Sequence, residues 1–159
     1  MTTKRETIIA AIRTALTGTT GVSDRIYRSR VEPLTRGESP AIVVEPLTDT
    51  AAQNTSLPTL DWSLTVRVAV IVRGAIPDQA ADATVEDMHS KLMADLTLGG
   101  YAIDIQPIAV TFDIVEADQP AGVVMCDYRV QYRTSVSNLA SYPWLELLMN
   151  IGVKAGLTC

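Results

Sequence analysis

Two stretches of the chain repeat apolar residues at the spacing of an amphipathic helix. In residues 3–17 the apolar side chains fall three or four positions apart, and Thr3 with Glu6 fits the pattern of an N-terminal capping box. In residues 78–96 an apolar stripe recurs at the same spacing, and Asp78 can cap its start. Glycines follow both stretches and favour helix ends there. Two amphipathic helices are therefore expected.

Three segments in the first half of the chain are typical of β-strands. Residues 25–31 alternate weakly between apolar and polar side chains, and residues 41–44 form a short β-branched run between two prolines. Residues 60–73 alternate strictly, which indicates a long strand with one face in the core. Residues 48–60 carry small and polar side chains, so a long loop is expected before the third strand.

Two further strands are expected after the second helix. Residues 101–114 alternate, but the phase changes by one residue beside Pro107, which predicts a bulge or a bend. Residues 124–133 alternate strictly. The turn-forming residues 118–122 between these segments predict that the two strands form a hairpin.

The predicted elements follow one another in the order α-β-β-β-α-β-β. Two amphipathic helices and a mostly antiparallel sheet of about four to five strands can bury their apolar faces against each other, which gives a two-layer α+β fold. A single domain is expected over residues 1–140, because a chain of 159 residues favours one domain. Residues 141–159 are expected to form an apolar C-terminal tail.

Composition and charge narrow the class of protein. Apolar residues make up 47% of the chain and charged residues 19%, as in an ordinary globular protein rather than a disordered one. The net charge of −5 argues against a nucleic-acid reader. The N-terminus lacks a secretory signal, and no apolar run reaches the roughly 18 residues that a membrane span needs. We therefore expect a protein without a membrane partner, used in a cytosol or in a particle assembled there.

Residues that could support catalysis are few. His89, the single histidine, lies in the second helix without ligand partners at metal-binding spacing. Cys126 falls in the core phase of its strand, where a buried thiol is inert, and Cys159 is the last residue. We therefore expect no catalytic residue, no metal site and no cofactor. A dyad of Cys126 and His89 is the remaining catalytic alternative.

Four arginines near the first strand form a modest basic cluster: Arg25, Arg28, Arg30 and Arg36. One interpretation is a solvated strand edge, whose charges discourage pairing with another chain. The other is a patch that forms salt bridges with an acidic neighbour.

Two groups of residues are candidates for contacts with a partner. The first group lies in the predicted loop and carries hydrogen-bonding side chains: Gln53, Asn54, Thr55 and Ser56. The second lies in the apolar run 142–151 and comprises Tyr142, Trp144, Leu145, Leu148 and Ile151. Such a run would form a contiguous apolar patch if it were exposed. It either folds back on its own domain or packs on another subunit.

Several stretches, in their order along the chain, resemble the tail-terminator proteins of long-tailed bacteriophages, the group that includes the lambda-type terminator. The resemblance covers roughly residues 3–138 and is one of pattern, without a catalytic signature. Besides the N-terminal helix, it is carried by Ile26-Tyr27-Arg28-Ser29-Arg30-Val31 leading into Glu38-Ser39-Pro40-Ala41-Ile42-Val43-Val44, by Val66-Arg67-Val68, by Leu96-Thr97-Leu98-Gly99-Gly100, and by Asp127-Tyr128-Arg129-Val130-Gln131-Tyr132-Arg133-Thr134.

This resemblance implies a non-enzymatic structural protein of the virion, located at the head–tail junction and assembled in the host cytoplasm. Such proteins cap the head-proximal end of the tail tube as a ring, usually a hexamer, and end tube polymerisation. The implied partners are further copies of the chain, the tail tube protein and the head–tail connector or head-closure protein. Genomic DNA would pass the lumen without specific binding, so an acidic or neutral lumen is expected.

Two rival functions are kept beside the tail terminator. The nearer one is another head–tail connector protein, such as a tail-completion or head-closure subunit, which differs in the neighbours it touches. The other is a small α+β enzyme or ligand-binding domain, which would need a deep pocket with convergent polar groups.

Overall fold

The computed structural model describes residues 2–30, 32–54, 56, 58–116 and 118–140. These residues form two α-helices and a mixed five-stranded sheet, which confirms the predicted α+β fold and the order of its elements. The elements are α1 Lys4–Ala15, β1 Ile26–Arg28, β2 Ala41–Ala52, β3 Thr59–Arg73, α2 Pro77–Met93, β4 Asp104–Val115 and β5 Ala121–Ser135, with a short 3-10 turn at Arg36–Glu38 between β1 and β2.

The strands lie in the order β1-β2-β3-β5-β4. β1 pairs with β2 in parallel, and the other three neighbouring pairs are antiparallel. The predicted hairpin of β4 and β5 is confirmed, and the predicted bulge appears as a register shift between Pro107 and Ala109. β1 and β4 are therefore the two edge strands of the sheet.

Strand β2 differs from the sequence prediction. The prediction of a strand over residues 41–44 followed by a loop over residues 48–60 is wrong, because β2 continues to Ala52 and pairs with β3 along that length. The register shifts between Pro46 and Thr48, so a bulge accommodates the proline, which cannot donate a ladder hydrogen bond. The polar residues of β2 that follow the bulge extend past the end of the short strand β1. This part of β2 can therefore remain exposed to solvent.

The core lies between the two helices and one face of the sheet. On β3 the alternating side chains of Leu64, Val66 and Val68 are almost completely buried, as the strict alternation predicts. Ile8, Ile9, Ile12 and Leu16 of the first helical segment and Ala81, Met88 and Leu92 of α2 pack over this face. α2 ends at Met93, so Leu96, predicted on its apolar stripe, lies outside the helix and is exposed.

The segment between β1 and β2 covers part of the opposite face of the sheet. Arg73, at the end of β3, donates from its guanidinium to the Leu34 carbonyl oxygen and from its backbone N–H to the Ser39 hydroxyl. Val43 and Ala69, paired across β2 and β3, point away from the core face and are still buried. The sheet is thus covered on both faces near β2, in contrast to its β4 side.

Candidate interaction surface

Strand β4 is the least covered element of the sheet. Among the described residues β4 pairs only with β5, and all of residues 106–116 are exposed. Five large apolar side chains of this strand are exposed, and three of them fall at alternate positions: Val110 at 52%, Phe112 at 63% and Ile114 at 57%. A run of exposed apolar side chains at alternate positions is uncommon on a protein that works as a monomer.

The pairing register of β4 with β5 shows on which face of the sheet these three side chains lie. Val110 pairs with Cys126 and Phe112 with Val124, and both partners belong to the core face. Directly paired residues point to the same side of a sheet, so Val110, Phe112 and Ile114 extend the core face outwards beyond the helices. We call these three residues the β4 shelf.

The N-terminal end of α2 packs beside the shelf, on the side where β4 pairs with β5. Pro77 packs so tightly on Gly122 that a Cβ atom at Gly122 would overlap the proline ring and backbone. Gly122 is the register partner of Ile114. The helix therefore lies over β5 beside the shelf, and no other described element covers the shelf itself.

The β4 edge also lacks the positive charges that commonly protect an edge strand. Natural edge strands often carry lysine, which discourages pairing with another chain. No lysine or arginine occurs between Lys91 and Arg129 in the sequence, whereas Asp113 lies between two shelf residues on the opposite face of β4 and Glu116 follows the strand. Pro107 with its bulge interrupts only the far end of the strand. The edge and its apolar side chains thus form an unprotected, slightly acidic surface.

The predicted loop contacts fall in a connection shorter than expected. Gln53 and Ser56 are exposed in the link between β2 and β3, and Thr55 lies outside the described residues. Asn54 donates from its side-chain amide to Asp61, which also pairs with Arg133. The Arg133 guanidinium is the main reason that the pKa of Asp61 is lowered. Gln53 and Ser56 therefore remain candidate contacts, while Asn54 is engaged within its own chain.

The candidates of the tail, Tyr142, Trp144, Leu145, Leu148 and Ile151, lie outside the described residues. The described chain approaches them at Leu139, whose carbonyl oxygen accepts a hydrogen bond from the Lys4 backbone N–H. Leu139 and Tyr132 line one small cavity at the start of α1. The described part of the chain therefore ends at the end of the sheet that lies far from the shelf.

A buried polar cluster, which sequence reasoning missed, lies at this end of the sheet. Tyr132 donates from its hydroxyl to Asp49, and burial raises the pKa of the Asp49 carboxyl. Trp62 stacks on Tyr132 with the ring planes 9° apart and donates from its indole N–H to Thr134. The prediction placed Asp49 in a loop, so only the long-range pairing of β2 with β3 could reveal this cluster.

The alternative of a Cys126 and His89 dyad finds no support in the geometry. His89 Nδ1 lies 2.9 Å from the Tyr128 hydroxyl, within hydrogen-bond distance. Burial raises the pKa of the Cys126 thiol to about 11. At neutral pH this thiol is protonated, and a thiol in that state is a poor nucleophile. Among the described residues, no cluster of three or more histidine, cysteine or carboxylate side chains could hold a metal ion.

The four arginines of the basic cluster are engaged within their own chain. Arg25 donates to the carbonyl oxygens of Pro40 and Gly21. The other three face carboxylates: Arg28 pairs with Glu6, Arg30 with Glu38, and Arg36 lies 3.9 Å from Asp118. Arg30, together with the Thr35 backbone N–H, lowers the pKa of Glu38 to about 2. These contacts favour the interpretation of a charged, self-contained edge over that of a patch for a neighbour.

A groove between the helices is the site to consider for a small ligand. It has a volume of about 480 Å³ and is lined largely by small or apolar side chains of α1 and by Leu98 and Tyr101. Asp95 also lines it, but this carboxylate accepts hydrogen bonds from Thr97 and from the Gly99 backbone. Thr7 and Thr14 also line the groove and donate to carbonyl oxygens of their own helix, which leaves Lys91 as the main polar group facing a ligand, fewer than a binding site with convergent polar groups needs.

Comparison of the chain with known protein families and with curated proteins finds no matching family model and no matching sequence. Neither helix in the described part of the chain is long and apolar enough to cross a membrane.

Proposed function

We propose that this chain is a structural protein of a bacteriophage tail, a terminator subunit that assembles into a ring on the head-proximal end of the tail tube. The observation that carries the proposal is the β4 shelf on an open sheet edge. Burying a large apolar side chain contributes roughly 1.5–3 kcal/mol, so the three shelf residues favour association of copies. The pattern resemblance supplies the kind of assembly.

The charge of the chain is compatible with a ring through which DNA passes. A wall that carries free lysines and arginines would hold phosphates and release counterions, which slows a passing duplex. The net charge is −5, and Arg28 and Arg30 are neutralised by carboxylates of their own chain. We therefore keep the expectation of an acidic or neutral lumen, and tight binding of duplex DNA at physiological salt would contradict it.

The test is to add the purified protein to tail tubes polymerised from the cognate tube protein and to image them by electron microscopy. We expect rings of uniform diameter in the free protein, one ring on one end of each tube, and an end to tube growth. A head-closure or tail-completion protein would form a complex with the connector and leave tube growth unchanged. Free monomers that neither form rings nor affect tubes would refute the proposal.

A further inference from the structure

Beyond the end of β1, strand β2 itself forms a second open edge of the sheet. β1 pairs with residues 42–44 of β2, and the Ser29 backbone N–H donates to the Val44 carbonyl oxygen where the two strands part. Among the described residues, 48–52 pair with β3 alone, and all of them except Asp49 are exposed. The backbone groups on the free side of such a strand are a template for another strand. We call residues 48–52 the β2 edge.

The two open edges of one chain cannot pair with each other. β4 lies at one side of the sheet, and β5 and β3 separate it from β2. Pro107 and its bulge limit the regular part of β4 to residues 109–115. Within the described part of the chain, each edge therefore lacks a neighbouring strand, and a second copy carries the complementary edge for both.

The directions of the strands fit pairing between copies in the same orientation. The pairs β2–β3, β3–β5 and β5–β4 are antiparallel, so β4 runs opposite to β2. A second copy placed beside the first without being turned over brings its β2 edge antiparallel to β4, with the helices of both copies on the same face of the joined sheet. This contact joins different patches, so it repeats from copy to copy and closes into a ring when the rotation between copies closes.

Closure of the ring also depends on how far each copy is shifted along the strands. Through Met125 and Ala69, Thr111 is level with Val43 of its own chain, and Thr50 lies seven positions after Val43. If Thr111 pairs with Thr50 of the next copy, that copy is shifted by roughly 20 Å at about 3.3 Å per residue, because the bulge takes up one position. Four strand spacings of about 4.8 Å separate one β4 from the next, so the strands tilt by about 45°. Closed barrels have strand tilts of roughly 35–45°.

The neighbouring registers fit less well. A slip of one residue would put the shelf on the wrong face of the joined sheet. A shift of two residues in one direction would bring Pro107 and its bulge opposite Ala52, where a regular ladder is interrupted. A shift of two residues in the other direction would raise the tilt above about 50°.

We propose that residues 109–113 of β4 pair antiparallel with the β2 edge of the next copy, with Thr111 opposite Thr50. The inference rests on the proposed ring, and it adds which two surfaces of the subunit join and in which register. On the face away from the helices, this register also sets Asp113 opposite Thr48, whose hydroxyl can donate to the carboxylate. On the helix face, the shelf is continued by the sheet of the next copy.

Disulfide formation between two differently tagged copies tests this register. In a Cys159→Ser background, one chain carries Thr50→Cys and the other carries Thr111→Cys, and both positions are exposed. Directly opposed residues of antiparallel strands have Cα atoms about 4.5–5.5 Å apart, which is within the range of a disulfide. The native Cys126 is buried and its pKa is raised to about 11, so it stays protonated and does not compete. We expect mild oxidation of the co-produced chains to give a covalent dimer that contains both tags.

The matched control moves the first cysteine by one position, to Ala51, which is also exposed but lies on the other face of β2. Ala51→Cys with Thr111→Cys should cross-link at least tenfold less than Thr50→Cys with Thr111→Cys. Equal yields, or no covalent dimer in either mixture, would overturn the inference. A covalent dimer from Thr111→Cys alone would also overturn it, because that product requires two β4 strands side by side. Circular dichroism of each variant confirms that the subunits are folded.

The outcome also separates this inference from the proposed function. Rings that cap tubes but give no covalent dimer would overturn the pairing of β4 with the β2 edge and leave the terminator function standing. Covalent dimers from a protein that never caps a tube would support the pairing and refute the terminator function.

Discussion

The two edges of the sheet are built in opposite ways. β1 is three residues long, and its polar groups have partners within the same chain. Arg13 donates a hydrogen bond to the Ile26 carbonyl oxygen, and Arg28 pairs with Glu6. β4 is twelve residues long and presents the shelf to solvent. The chain thus protects one edge with charge and short length, whereas among the described residues the other edge is open, and the proposed ring would cover this β4 edge.

Charges on the shelf should have the largest effect on assembly. In the double variant Phe112→Asp and Ile114→Asp, two carboxylates replace side chains that the proposed contact removes from water, and a buried unpaired charge is strongly unfavourable. We expect loss of rings in native mass spectrometry, with the midpoint of thermal unfolding of the subunit within a few degrees of wild type.

The control for the shelf variant is Thr111→Asp, which adds a charge to the opposite face of β4. This variant should keep its rings. If both variants dissociate alike, the strand edge as a whole would carry the contact, and the difference between its two faces would be lost.

Gly122→Ala should have the next largest effect, this time on the stability of the subunit. A Cβ atom at Gly122 overlaps Pro77, so α2 must shift away from β5. Overpacking of this kind costs about 1–3 kcal/mol of the free energy of unfolding, measurable in urea. Gly37→Ala serves as the control, because no atom lies within 4 Å of a Cβ there. Equal stability of both variants would show that the start of α2 can move away from the shelf.

At the protected β1 edge, Arg28→Ala should change the stability of the subunit only slightly. The ion pair with Glu6 is partly exposed and screened, so its loss should lower the free energy of unfolding by less than about 1 kcal/mol. Glu6 has a lowered pKa because of Arg28, so the contribution of the pair is present above the usual glutamate pKa and is lost as the pH falls through the lowered value. The rings should remain, and their loss would show that the β1 edge also joins subunits.

A pH-dependent effect concerns Lys4, which lies beneath the end of the described chain. Burial, with Arg133 nearby, lowers its pKa from 10.5 to about 8, so the folded subunit disfavours the charged amine. The cost of this charge is present in full below pH 8 and disappears as the pH rises towards 10.5. Relative to Lys4→Met, the wild type should therefore gain stability between these two pH values. A constant difference in urea unfolding across the window would contradict the lowered pKa.

The sequence was sufficient for elements whose pattern is local. Both helices, β3 and β5 were predicted close to their observed bounds, because their apolar residues repeat at one clear period. The extension of β2 to Ala52 was missed, since Thr48 and the residues that follow show no apolar alternation and depend on pairing with β3. Long-range pairing also brings Asp49 to Tyr132, which no local pattern indicates.

For the same reason, the sequence predicted the strand that carries the candidate surface but not the exposure of that surface. The alternation of Val110, Phe112 and Ile114 indicated a strand, and Pro107 indicated its bulge, and both are confirmed. The alternation of apolar residues along a strand does not show which other element covers that strand. The position of α2 depends on its packing against β3 and β5. The exposure of the shelf follows from the strand order, which places β4 at the edge.

The mass of the assembly in solution tests the central claim most directly. Native mass spectrometry of the full-length chain, with the shelf double variant and Thr111→Asp measured beside it, reports how many copies associate. We expect a single closed oligomer for the wild type and for Thr111→Asp, and a folded monomer for the variant with Phe112→Asp and Ile114→Asp. A wild-type chain that remains monomeric at every concentration, alone and with tail tubes, would contradict the claim.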